Sequence, residues 1–195
     1  MIEVSQKCPE VWYIKNLFSE EVYEGILEEF LPFYSQWVFD KHENVNDPIF
    51  GMLYCTHDHT ESWPYSTNFQ FIRVATIAKL QIQKILKRDL ELIRINTNIQ
   101  FHGQDSAFHT DDDYYIDNAD SRCWTVVVFS EWDWDATWGG QIEIQTERDS
   151  EDYIALPFMP NCAVLFDGSL YHRGLAPNRF AQCERKTLAF LFKEV

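Results

Sequence analysis

The sequence has no long apolar stretch and no paired cysteine motif. No segment reaches the roughly 18 apolar residues of a membrane-spanning helix. Its N-terminus lacks the basic and apolar segments of a secretory signal, so we expect neither an anchor nor secretion. The five cysteines are scattered, odd in number and never spaced as C-x-x-C. We therefore expect no zinc knuckle and no disulfide framework, and predict reduced thiols in a cytoplasmic protein.

Basic residues are scarce as well. The chain has 16 Lys and Arg against 31 Asp and Glu, which gives a net charge of −15. A chain this acidic repels a phosphate backbone, so we do not expect a nucleic acid partner. Its 195 residues, 46% of them hydrophobic, suffice for one core and exclude disorder. We predict a single domain over residues 1–195.

Helical periodicity appears twice in the first half of the chain. Ser19 is a typical N-cap, and apolar residues then recur at helical spacing up to Phe30. A longer periodic segment covers 67–88. We therefore expect helical support mainly over 19–88. The irregular, polar stretch 40–65 between the two helices predicts a long loop with one short strand.

Beyond Asp89 the period changes to two. In Leu92–Phe101, isoleucine and threonine alternate with four polar residues: Arg94, Asn96, Asn98 and Gln100. A strand with one polar face meets solvent or lines a polar cavity, and solvent is the commoner case. Further strands are predicted at Trp124–Phe129, Gln141–Gln145, Ile154–Phe158, Ala163–Phe166 and Thr187–Phe192. The pattern predicts a mainly β fold with flanking N-terminal helices, such as a jelly roll.

A histidine and an aspartate are spaced for metal binding in the segment from Phe108 onwards. His109 and Asp111 stand at positions i and i+2, which point the same way in a strand. His172 is the candidate for a second histidine. Two histidines and one carboxylate on one face of an octahedron suit non-haem Fe(II) and leave three positions open. The triplet alone is equally compatible with a polar surface turn.

A cation follows His172 at the start of an alternating strand. An open iron site can take a bidentate 2-oxo acid such as 2-oxoglutarate, whose distal carboxylate then needs a fixed positive charge. Arg185 suits this role because its planar fork can bind both oxygens. Lys186 and Arg179 are rival cations, and Arg185 is equally compatible with a solvated charge.

Four segments together resemble the prolyl 4-hydroxylase-like branch of the Fe(II)- and 2-oxoglutarate-dependent oxygenases. They span roughly residues 94–192, about half of the chain, and are specific only in combination. Their sequences are GQDSAFHTD at 103–111, RCWTVVVF at 122–129, WGGQI at 138–142, and the span from Leu165 through His172 to Arg185. The third segment lacks the residue that the family has between its tryptophan and glycines.

The resemblance implies a double-stranded β-helix with a core over about 91–195. It also implies a dioxygenase that decarboxylates 2-oxoglutarate to succinate, with Fe(II), 2-oxoglutarate and dioxygen as cofactors and ascorbate as a further candidate. His109, Asp111 and His172 would then be the catalytic iron ligands. Arg185 would bind the distal carboxylate, and Thr125 would be an additional co-substrate contact.

Two tyrosines of the family are absent. The residues before the glycine-glutamine segment are Gln100, Phe101 and His102, and Phe129 occupies the position of the second tyrosine. A missing hydroxyl leaves one carboxylate oxygen in need of another donor. Asn98 or Gln100 can supply it from the polar face of their strand.

The substrate is left open by the sequence. A peptidyl side chain, proline by analogy, is the first expectation, and a free amino acid or other small metabolite is the alternative. A non-catalytic, cupin-like metal-binding protein is the alternative from another class. Aromatic residues form an expected pocket wall, namely Trp63, Tyr65, Tyr114, Tyr115, Trp132, Trp134 and Trp138.

Overall fold

The computed structural model describes residues 1–30, 38–39, 51–54, 69–112, 122–147 and 150–195. These residues form two α-helices, α1 (Glu20–Phe30) and α2 (Phe69–Leu86), and one short 3-10 helix at Ala136–Trp138. They also form eleven strands: β1 (Glu3–Cys8), β2 (Val11–Lys15), β3 (Val38–Phe39), β4 (Gly51–Tyr54), β5 (Leu90–Gln100), β6 (Cys123–Phe129), β7 (Ile142–Gln145), β8 (Tyr153–Leu156), β9 (Cys162–Asp167), β10 (His172–Gly174) and β11 (Arg185–Glu194).

The strands form two antiparallel sheets. The large sheet has the order β1-β2-β9-β6-β11-β5-β4-β3, and the small sheet has the order β10-β7-β8. Strands that follow one another in the sequence are often not neighbours in the sheet. For example, β11 pairs with β5 on one side and with β6 on the other. This arrangement brings residues from distant parts of the sequence onto one inner face.

Two apolar cores hold this arrangement together. One core packs α1 and α2 against the outer face of the large sheet, where Ile26, Ala78 and Phe190 are buried. The other combines residues of both sheets, among them Val164 and Ile144, and therefore lies between them. Apolar burial on both faces of the large sheet explains why its central strands are rich in β-branched and aromatic residues.

The first helix begins where the sequence predicts. Ser19 Oγ accepts a hydrogen bond from the backbone N–H of Val22 at 3.4 Å, as an N-cap does. Tyr23, buried on this helix, donates its hydroxyl to the Phe129 carbonyl at 2.8 Å. Within the described ranges, neither helix combines the length and the apolar character that crossing a bilayer would require.

Most predicted elements are present with ends shifted by one to three residues, and the mainly β class is confirmed. The exception is the N-terminal edge strand β1, which no sequence pattern predicted. Of the predicted loop 40–65, residues Gly51–Tyr54 form β4. The rest of that loop, with Trp63 and Tyr65, lies outside the described residues, as do Tyr114 and Tyr115.

Candidate metal centre and its pocket

His109 and His172 form a backbone pair between two neighbouring chain segments. The N–H of each donates to the carbonyl of the other, at 3.0 and 2.9 Å. Such doubly bonded partners in an antiparallel pair point their side chains to the same side. Their ring centroids lie 4.3 Å apart. The structure therefore brings together two histidines that the sequence places far apart.

Both imidazole rings are oriented by backbone carbonyls. His109 Nδ1 lies 3.0 Å from the Ala107 oxygen, and His172 Nδ1 lies 3.0 Å from the Leu170 oxygen. A carbonyl oxygen can only accept, so each Nδ1 carries the proton. The Nε2 lone pair of each neutral ring is then free to bind a metal.

Asp111 is held beside these rings by two side chains. Arg94 Nη2 donates to Asp111 Oδ1 at 2.8 Å, and the Thr125 hydroxyl donates to Oδ2 at 2.6 Å. Oδ2 also lies 3.4 Å from His172 Nε2. Burial opposes ionisation, but the neighbouring His172 and Arg94 hold the pKa of the Asp111 carboxyl well below its usual range. The carboxylate is therefore charged at neutral pH.

His109, Asp111 and His172 form the predicted cluster of metal-ligand atoms. Each offers one such atom, and all three atoms lie within 4.8 Å of one another. Burial and the nearby His109 lower the pKa of His172 to about 4, so its ring is neutral at pH 7. Two imidazoles and one carboxylate match the ligand set of a non-haem Fe(II) site.

The polar face of β5 points inward and connects two parts of the site. At one end Arg94 binds Asp111, and at the other end Gln100 binds Arg185. Asn98 lies between them, and its buried Oδ1 has no hydrogen-bond partner among the residues that the structure describes. This polar face lines the interior between the sheets, contrary to the commoner expectation that it would meet solvent.

Arg185 is a buried cation bound only by neutral groups. It is 3% exposed. Its Nε donates to the Gly140 carbonyl at 2.8 Å, its Nη1 donates to Gln100 Oε1 at 2.6 Å, and it lies over the Phe158 ring. No carboxylate pairs with it in the part of the chain that the structure describes. Burial lowers the pKa of Arg185 to about 9, so it is charged at neutral pH and lacks a counter-ion.

Glycines allow the backbone to approach this guanidinium. Gly140 has a φ of +74°, and a Cβ there would lie 2.6 Å from the Trp134 ring. A Cβ on Gly174 would lie 3.2 Å from both Nη atoms of Arg185. The W-G-G segment therefore forms part of the wall around Arg185. The Trp134 ring meets Trp138 edge-on and lies tilted against Phe158.

The two rival cations occupy different surroundings. Lys186 is buried on the opposite face of β11 and pairs with Glu131 at 2.7 Å and Glu184 at 3.1 Å. Arg179 is exposed and lies over the Phe180 ring. Of the three cations considered for the distal carboxylate, Arg185 alone is buried without an ion pair among the described residues.

The other residues predicted to contact the co-substrate differ in their hydrogen-bond partners. Gln100 Nε2 donates to the carbonyls of Gln104 and Gly174, at 2.8 and 3.2 Å. Its geometry therefore favours contact with Arg185 over direct donation to a ligand. Thr125 lies at the metal cluster, where its hydroxyl binds Asp111. Asn98 faces the interior between these two positions.

Two neighbouring residues lie away from the cluster. His102 Nδ1 contacts the Pro177 carbonyl at 3.2 Å. Arg173, as the strand alternation predicts, points away from the metal position and binds Glu143 at 2.7 Å. Sequence reasoning did not single out Arg94 beyond its place on a polar face. The sequence feature that indicates a role for Arg94 is its position on the same strand face as Asn98 and Gln100.

No protein-family model and no curated protein matches this sequence. Several solved structures resemble the fold. A prolyl hydroxylase from Trichoplax adhaerens, in complex with a hypoxia inducible factor oxygen degradation domain peptide fragment, has a TM-score of 0.69 and 13% identity. The match covers 94% of this chain and 83% of that one. A Pseudomonas putida prolyl-4-hydroxylase has a TM-score of 0.66 and 14% identity, with 95% and 93% covered.

A similar match joins the chain to the non-heme alpha ketoglutarate dependent epimerase SnoN from nogalamycin biosynthesis. The TM-score is 0.70 and the identity 9%, with 94% of this chain and 77% of that one covered. The chain therefore has the fold of the Fe(II)- and 2-oxoglutarate-dependent oxygenases. The predicted resemblance is confirmed at the level of fold.

Proposed function

We propose that this chain is an Fe(II)- and 2-oxoglutarate-dependent dioxygenase, with its two sheets forming a double-stranded β-helix in one domain over residues 1–195. One observation carries the proposal. A cluster of two histidines and one carboxylate is joined by the polar face of β5 to Arg185, a buried cation that forms no ion pair among the described residues. A metal and a dianionic co-substrate would satisfy both features at once.

The residues fit the groups that the fold implies. His109, Asp111 and His172 offer a borderline-soft nitrogen and oxygen set that suits Fe(II). Arg185, which has no carboxylate partner among the described residues, is the buried donor that a distal carboxylate would need. When bound, the iron would supply oxidation of a substrate C–H bond by dioxygen, coupled to conversion of 2-oxoglutarate to succinate.

The protein's own contribution is orientation and charge. The backbone pair of His109 and His172 fixes the direction of both rings, and Arg94 fixes the carboxylate of Asp111. Arg185 would bind the distal carboxylate in an environment with little water, where a charge-assisted hydrogen bond is strong. The aromatic wall around it keeps that end of the pocket closed.

We propose a peptidyl side chain, and prolyl hydroxylation in particular, as the reaction. Two prolyl hydroxylases among the similar structures support this choice, one of them solved with a peptide. A small-metabolite substrate is the second candidate, supported by the similarity to the epimerase SnoN. Both rest on fold, because function depends on the individual site.

The test is anaerobic addition of Fe(II) and 2-oxoglutarate, followed by the weak visible charge-transfer band of the metal–2-oxo acid chelate. We expect a band with the wild type and succinate formation once air is admitted. Arg185→Ala should weaken 2-oxoglutarate binding while iron binding persists, and Arg179→Ala serves as the matched control. A chain that binds metal but gives neither band nor succinate would be the non-catalytic, cupin-like protein instead.

A further inference from the structure

We infer that Gln100 is a positioning residue, which holds Arg185 in the orientation that receives the distal carboxylate of the co-substrate. This inference rests on the proposed function and deepens it. It assigns Gln100 a role as an acceptor for the guanidinium, in place of a donor to the ligand.

The orientation of the Gln100 amide is set by its surroundings. Its Nε2 lies 2.8 Å from the Gln104 carbonyl and 3.2 Å from the Gly174 carbonyl. Both partners can only accept, so the nitrogen must face them and Oε1 must face Arg185. Gln100 is 3% exposed and cannot exchange these partners for water without cost.

Fixing Gln100 also fixes what Arg185 can offer. A guanidinium has five N–H donors. Gly140 takes the Nε–H, and Gln100 takes one N–H of Nη1. A carboxylate therefore cannot bind side-on through the Nε–H and an Nη–H together. The three remaining N–H donors all lie on the two Nη atoms. A carboxylate must approach Arg185 at this end. Gly174 lies over the face of the guanidinium, where a Cβ would stand 3.2 Å from both Nη atoms and 3.3 Å from Cζ.

The charge of residue 100 thus sets the selectivity of the pocket. Neutral Gln100 keeps Arg185 as an unneutralised cation, so the pocket favours a 2-oxo acid with a distal carboxylate. A carboxylate side chain at position 100 would form an ion pair with Arg185 and neutralise its charge. The pocket would then no longer favour a charged distal end.

The experiment compares Gln100→Glu and Gln100→Met with the wild type. Each protein is loaded anaerobically with Fe(II) and titrated with 2-oxoglutarate or with 2-oxopentanoate, which carries a methyl group in place of the distal carboxylate. The charge-transfer band reports binding without turnover, and a titration with Mn(II) alone checks that each variant keeps its metal site.

We expect Gln100→Glu to bind 2-oxoglutarate about 100-fold more weakly and 2-oxopentanoate no more weakly, so that the preference collapses. Gln100→Met should weaken 2-oxoglutarate about tenfold and keep the preference, since Arg185 stays charged but is less well oriented. Unchanged affinities in both variants would overturn the inference and leave the proposed function standing. Absence of the band in the wild type would overturn both.

A second measurement decides the matter if a variant does not fold. In a structure of the wild type with Mn(II) and a 2-oxoglutarate analogue, Gln100 Oε1 should still accept from Arg185 Nη1. A direct hydrogen bond from Gln100 Nε2 to the distal carboxylate would contradict the inference.

Discussion

Arg94 Nη2 lies 2.8 Å from Asp111 Oδ1, so an arginine binds the carboxylate oxygen that does not face the histidines. The other oxygen, Oδ2, is the one near His172 Nε2. Arg94 therefore leaves Asp111 a single oxygen for a metal. Because Asp111 would bind through one oxygen, the three residues would occupy three coordination positions of the metal. The other positions would stay open for a bidentate co-substrate.

Replacing this arginine should weaken metal binding. We expect Arg94→Leu to lower the affinity for Mn(II) or Fe(II) by about 10- to 100-fold, because partners that orient a metal ligand commonly contribute that much. Anaerobic isothermal titration measures the effect. Arg179→Leu, at an exposed arginine far from the cluster, is the control, and equal losses in both variants would argue against a specific role for Arg94.

Removing the Thr125 hydroxyl should weaken metal binding by a similar amount. The hydroxyl donates to Asp111 Oδ2 at 2.6 Å, and Thr125→Val keeps the shape while deleting that bond. A hydrogen bond to a charged group contributes about 1.5–3 kcal/mol, so metal affinity should fall by at least about tenfold. Thr125→Ser should restore it. A serine variant as weak as the valine variant would point to packing instead.

The sequence predicted the two faces of β5 but favoured solvent for the polar one. Strict alternation in Leu92–Phe101 identifies two faces of a strand, but the covering layer depends on the whole topology. Arg94 meets Asp111 only because the segment containing Asp111 crosses the interior towards β10. Thr125, predicted as an additional co-substrate contact, donates its hydroxyl to Asp111.

Gly140→Ala should destabilise the protein more than Gly103→Ala. Both glycines have positive φ values, +74° and +83°, so both variants carry the backbone cost of about 1 kcal/mol. Only at Gly140 would the new Cβ lie 2.6 Å from Trp134, while nothing lies within 4 Å at Gly103. We expect about 1–3 kcal/mol of extra destabilisation at Gly140. Urea denaturation of both variants measures it, and equal midpoints would contradict the close packing.

Lys186→Met should lower stability without weakening 2-oxoglutarate binding. Burial lowers the pKa of Lys186, but its hydrogen bonds to Glu131 and Glu184 outweigh that effect and raise it above the ordinary value of 10.5. A lysine with a raised folded pKa stabilises fully below its unfolded pKa and loses this contribution as pH rises through the folded value. The variant should therefore unfold about 2 kcal/mol more easily at pH 7 to 9, because two partly buried carboxylates lose this cation.

The pH dependence separates this effect from a general packing loss. Thermal or chemical unfolding above pH 10.5 should bring the wild type closer to the variant. A constant difference between the two proteins across that range would assign the loss to packing.

Other elements were not accessible to sequence patterns. β1 is an edge strand with a largely exposed surface, so it lacks the apolar alternation that identifies a half-buried strand. β10 has three residues, too few for any periodic signal. By contrast, β6, β9 and β11 are almost wholly buried and were recognised from their apolar runs, and H-x-D was recognised because strand geometry alone aligns its two side chains.

The paired backbones of His109 and His172 link the metal to the stability of the whole molecule. These ligands come from segments that are distant in the sequence and meet only when the two strands close. An unfolded chain would separate them, so a divalent metal should bind the folded state in preference to the unfolded one. Each tenfold rise in free metal above its dissociation constant would then add about 1.4 kcal/mol to folding. A chelator would accordingly act on this protein as a mild denaturant.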